Sequence, residues 1–79
     1  MKARYNGASF GVDGLSNGRV YEVIEVDVLS GALRVIDDSG EDYLYSPINP
    51  RPIADPKHPG GRWEVVEDDT QESLKAAIH

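Results

Sequence analysis

The chain has no cysteine, so disulfides and thiolate metal sites are excluded. Long apolar runs are also missing. No segment approaches the ~20 residues of a membrane span, and the start, MKARYNGASF, has no apolar stretch of signal-peptide length, which makes a cytoplasmic protein the expectation. Positive charge is scarce: eight Lys and Arg stand against fourteen Asp and Glu, for a net charge of −6. Free nucleic acid and anionic membranes are poor partners for such a chain, because binding phosphate requires cations to neutralise it. RNA binding would need Lys2, Arg4, Arg34 and Arg62 to gather on one face. A cationic partner, by contrast, would be steered in.

Seventy-nine residues make one domain with a single small core. There is no room for a substrate domain or a deep cofactor pocket, and no cofactor is expected.

What is present is β structure. Residues 18–47, GRVYEVIEVDVLSGALRVIDDSGEDYLYSP, hold three β-type runs at 19–28, 32–38 and 42–46. Two short turns join them, Leu29-Ser30-Gly31 and Ser39-Gly40-Glu41. Three strands on hairpin-length turns form an antiparallel meander. The first run changes phase midway: Tyr21 and Val23 share one face, Ile24, Val26 and Val28 the other. That predicts a bent strand serving two faces, with a bulge near Val23–Ile24 and with Glu22, Glu25 and Asp27 outward.

Residues 2–5 predict a short first strand. Residues 6–18, with four glycines and two asparagines, read as a long loop whose Phe10, Val12 and Leu15 tuck onto the core. All five prolines fall within 46–61, which excludes helix and interior strand there. This connection is expected to cover the open end of the protein's own barrel. A last strand spans 62–67, with Trp63 and Val65 on one face. Asp69 then starts a helix signal, with Glu72 three residues on and Leu74, Ala77 and Ile78 at helical spacing. So short a helix must dock, pair with another copy or fray. The domain is thus 1–67, followed by a helical tail at 68–79.

The order of strand, long loop, meander, irregular connection and strand is that of an SH3-like small barrel, and the residues resemble one. Ala3-Arg4-Tyr5 stands where SH3 domains carry Ala-Leu-Tyr. Leu15-Ser16-Asn17-Gly18, followed by Tyr21-Glu22-Val23-Ile24, resembles their Leu-Ser-x-x-x-Gly segment and second strand. Tyr45-Ser46-Pro47 lies in the region of their Tyr-x-Pro-Ser-Asn-Tyr segment. The chain departs from them in having Leu33-Arg34 where a Trp-Trp pair is expected, and in its long connection after Pro47. It also resembles a loose set of short bacterial and phage proteins through residues 18–23, 37–41, 43–47 and 63–66. The resemblance implies an all-β, SH3-like five-stranded barrel with a short C-terminal helix; it carries no activity with it.

No pattern points to catalysis, and none to a metal site. Neither His58, in the proline loop, nor His79, the last residue, has a nucleophile beside it, and no Gly-rich phosphate loop precedes a helix. The acidic hairpin Asp37-Asp38-Ser39-Gly40-Glu41-Asp42 lacks the twelve-residue ligand spacing of an EF-hand. It reads as a β-turn with Asp at its start and Gly at positive φ. The aromatics carry the functional signal. If Tyr43 and Tyr45 face outward and Leu44 inward, then Tyr5, Tyr43, Tyr45 and Pro47, bordered by Asp37, Asp38 and Glu41, form an aromatic–acidic face. Such a face suits a basic or proline-rich peptide through stacking and cation–π contact; the competing reading places these rings in the core. The expectation is a non-enzymatic protein-binding or regulatory module, monomeric or weakly self-associating. The alternative is a structural or assembly subunit that oligomerises through the tail or a strand edge.

Overall fold

A computed structural model describes residues 1–78; His79 lies outside them. Five strands, β1 (Lys2–Gly7), β2 (Val20–Val26), β3 (Leu33–Ile36), β4 (Asp42–Tyr45) and β5 (Gly61–Glu67), precede one short helix, α1 (Ser73–Ala77). They form a single antiparallel sheet in the order β4-β3-β2-β1-β5. The meander β2-β3-β4 is as the turns predict. Among the described residues no ladder joins β4 to β5, so the sheet is open and these two strands are its edges. No described helix is long and apolar enough to cross a membrane.

Alternation along each strand sends one set of side chains to a single core. Ala3 and Tyr5 come from β1, Tyr21 and Val23 from β2, Leu33 and Val35 from β3, and Trp63 from β5. The long loop adds Leu15 and the helix adds Leu74, both fully buried. Aromatic rings meet edge to face at its centre: Tyr5 and Trp63 lie 5.8 Å apart and Tyr21 and Trp63 6.4 Å, the arrangement ring quadrupoles favour.

The phase change in β2 is a β-bulge. The register with β3 shifts between Val23 and Glu25, leaving Ile24 unpaired. Its consequence differs from the expectation of two served faces. Skipping one residue returns Val26 to the core side, opposite Leu33, while Ile24 is half exposed and Val28 lies in the solvent-facing turn. Without the bulge, Val26 would point to solvent.

The loop between β1 and β2 folds back on its own hydrogen bonds: Phe10 N–H donates to Leu15 O (2.8 Å), and Gly18 N–H donates to Tyr5 O (2.7 Å). Phe10 packs against the core and Leu15 enters it, but Val12 is 89% exposed and does not tuck in. Gly7 and Gly61 pair across β1 and β5 beneath the Tyr5 ring. A Cβ on Gly61 would lie 2.5 Å from that ring, and one on Gly7 would lie 2.5 Å from Gly61 Cα.

The helix starts later than the sequence signal indicates. Glu72 adopts a left-handed backbone, with φ 55°, and so stands outside the helix. The expected capping box does not form. Instead Asp69 Oδ1 accepts from Ser73 N–H (2.8 Å), while the two carboxylate oxygens of Asp68 accept from Leu74 and Lys75 N–H (both 2.9 Å). These carboxylates satisfy amide groups that have no partner inside a helix. Leu74 then docks the tail onto the sheet, which is how so short a helix holds its form.

Candidate functional site

Asp37 and Asp38 close the β3–β4 hairpin. Gly40 N–H donates to Asp37 O (3.0 Å), and Gly40 has φ 83°, giving the anticipated turn. Both carboxylates face inward. One Asp37 oxygen accepts from the Ser39 amide and hydroxyl; the other accepts from the Tyr45 hydroxyl. Asp38 accepts from the Tyr21 hydroxyl (2.9 Å) and the Ser16 hydroxyl (2.7 Å), and pairs with the Arg19 guanidinium (3.1 Å). The long loop supplies Ser16 and Arg19 to a network that the hairpin alone lacks.

The network holds the tyrosines protonated. Burial pushes the Tyr45 hydroxyl well above its ordinary value near 10, and donation to the charged Asp37 pushes it further. Burial likewise raises Tyr21, helped by its bond to Asp38. Ionising either phenol would place a second negative charge against a carboxylate in a poorly solvated setting.

The seven residues expected to form an aromatic–acidic face are divided by this arrangement. Tyr5 is 0% exposed, with its hydroxyl donating to Ala8 O (2.6 Å), so it is a core ring rather than a contact surface. Asp37, 6% exposed, and the Asp38 side chain, similarly buried, border no open strip. The proposed orientation of β4 is reversed. Register places Tyr43 opposite Val35 and Tyr45 opposite Leu33, on the core side, while Leu44 lies opposite Arg34 on the outer side. Tyr45 packs against Trp63 (6.4 Å) and Phe10 (5.9 Å). Tyr43, at the end of the strand nearer the hairpin, remains 49% exposed and donates to Glu41 (2.9 Å). Pro47 is half-buried and lines a different groove, with Ile48, Trp63 and Ile78.

Tyr43 and Tyr45 do meet an open groove, though not the one anticipated. It runs along β4, bounded opposite by the proline-rich connection, and its apolar lining includes Phe10, Tyr43, Leu44, Tyr45, Ile48 and Pro52. Asp13, Asp42 and Asp55 supply acid; Arg34 and Arg51 supply the cations. At about 1280 Å³ it exceeds the ~300–1,000 Å³ of sites for drug-sized molecules. Its far wall is built by specific bonds. Trp63 Nε1–H donates to Ser46 O (3.0 Å), Gly61 N–H to Asn49 Oδ1 (3.1 Å), and Pro50 is fully buried. His58 Nδ1 accepts from Gly60 N–H (2.9 Å), so its proton sits on Nε2, which reaches Ser9 O at 3.1 Å. The His58 ring also meets Phe10 edge-on at 5.0 Å, tying connection to loop.

Sequence reasoning missed Phe10, Asp13 and Pro52 as groove residues. The usable signal was Ile53, an isolated aliphatic in a polar loop that is 102% exposed at the groove rim.

The outer face of the sheet carries Lys2, Arg4, Arg34 and Arg62 together, as their register requires. Three of them are met by acids: Lys2 by Glu67, Arg4 by Glu64, and Arg34 by Glu25 and Asp42. Charge on that face is therefore interleaved between acids and bases. Compared with known proteins, the chain matches no family model, no curated protein and no solved structure.

Proposed function

We propose that this chain is a cytoplasmic, non-catalytic peptide-binding module built on an SH3-like barrel. The strand order, the bulge at Ile24 and the single core drawn from β1, β2, β3 and β5 support the barrel reading. One observation carries the binding reading: an aromatic groove left open beside an edge strand, in a chain of net charge −6. Rings with an exposed face and acids at the rim favour a basic or proline-rich segment through stacking and cation–π contact. Assembly through the tail is less well supported, because Leu74 would have to leave the core to meet another copy.

The test is an amide-shift titration with a basic and a proline-rich peptide. Shifts concentrated at residues 42–46 and 51–56 are expected. Shifts absent there with both peptides at millimolar concentration would remove the reading.

A further inference from the structure

The free edge of β4 has a defined polarity. Asp37 N–H donates to Glu41 O at the hairpin end, which sets the alternation of the β3–β4 ladder. Tyr43 and Tyr45 therefore exchange backbone bonds with Val35 and Leu33, and the backbone groups of Asp42 and Leu44 point away from β3. No described residue bonds to those outward N–H and C=O groups. On the β5 edge, Asn49 takes the outward N–H of Gly61. Both Asp42 and Leu44 line the groove.

We propose that the groove takes a basic peptide in extended form, added as a sixth strand on β4. This rests on the peptide-binding reading above and deepens it. Two residues of the peptide would exchange four hydrogen bonds with Asp42 and Leu44. Its side chains alternate between two rows. One row lies over Phe10, Tyr43 and Tyr45; the other lies beside Leu44 and Asp42. Charge selects the occupant. Three of the five charged residues lining the groove are acids; Arg34 and Asp42 pair with each other, which leaves Asp13 and Asp55 against Arg51. A second copy of the chain fits badly, since two chains of charge −6 would meet along edges bearing Asp42. A polyproline helix also fits badly, because proline has no N–H to donate to the ladder.

The probe is an end-capped peptide of alternating lysine and valine, compared with two isomers N-methylated on lysines only or valines only. Every second residue of a strand faces the ladder, so one isomer should bind about tenfold more weakly and the other within about twofold of the parent. Saturating parent peptide should slow hydrogen exchange at the Asp42 and Leu44 amides at least about tenfold, since they gain partners. If the peptide shifts groove amides while both isomers bind alike and exchange is unchanged, strand addition is wrong and the groove reading stands. If the peptide binds nowhere near residues 42–56, strand addition falls, and the groove reading falls with it when the proline-rich peptide also leaves those amides unshifted. Dimerisation by sedimentation, abolished by Leu44→Pro in a variant still folded by circular dichroism, would assign the edge to a second copy instead.

Discussion

The Tyr45 hydroxyl donates to the Asp37 carboxylate, so the last residue of β4 is tied to the turn that starts it. The bond makes Tyr45 a structural ring that packs against Trp63 and Phe10 and also lines the groove. It also explains how Asp37 is tolerated with almost no exposure: each of its oxygens accepts a hydrogen bond, as a buried charge requires.

Tyr45→Phe keeps the ring and removes the donor. Ser39 still serves the other Asp37 oxygen, so the expected cost is that of one bond to a charged acceptor, about 1–3 kcal/mol. A urea midpoint unchanged from wild type would show that the bond contributes nothing.

Alkaline pH acts on the same group. The folded protein holds Tyr5, Tyr21 and Tyr45 above their ordinary value near 10, in each case first through burial. The unfolded chain therefore releases these protons first. Their contribution to stability is complete below pH 10 and is lost as pH rises through the folded-state values. Unfolding free energy should fall from about pH 10 upward, and less steeply in Tyr45→Phe. A flat profile between pH 9 and 12 would contradict the burial of these hydroxyls.

Gly61→Ala drives a methyl into the Tyr5 ring and toward Asn6 O. Both neighbours are held in the β1–β5 pair, so the expected loss is about 1–3 kcal/mol from overpacking. Thermal melting reads it directly.

Leu74→Ala empties a fully buried position and undocks the tail at a cost of about 2–5 kcal/mol. Proteolysis should then cut first near residues 68–78. Equal protease resistance in wild type and variant would mean that the helix is not held by the core.

Acid should loosen the same junction. Asp69 is held below its ordinary carboxylate value, chiefly by the Ser73 hydroxyl and then by the Ser73 amide. A lowered value means the contribution is present above pH 4 and disappears as pH falls through the folded-state value. Helix signals at Ser73–Ala77 should fade over that range before the sheet melts, followed residue by residue by NMR.

Local chemistry alone determined the strands, the hairpin turn at Gly40 and the bulge in β2. β-Branched and aromatic runs, a positive-φ glycine and a slip in the two-residue period between Val23 and Val26 each act within a few residues. The use of each face was decided elsewhere. Tyr43-Leu44-Tyr45 is apolar in both phases, so the period of two says which residues share a side but not which side is the core. The pairing of Tyr43 with Val35 and of Tyr45 with Leu33 settles that, through contacts across strands. Asp37 and Asp38 read locally as turn acids open to water. Their burial depends on Tyr45 on the next strand and on Ser16, Arg19 and Tyr21 from the loop and strand before. Likewise Asp68 caps amides six and seven residues away, beyond the reach of a capping motif. Tertiary structure alone placed the groove, because the proline-rich connection that forms one wall is tied to β5 by Trp63 donating to Ser46 and Gly61 donating to Asn49.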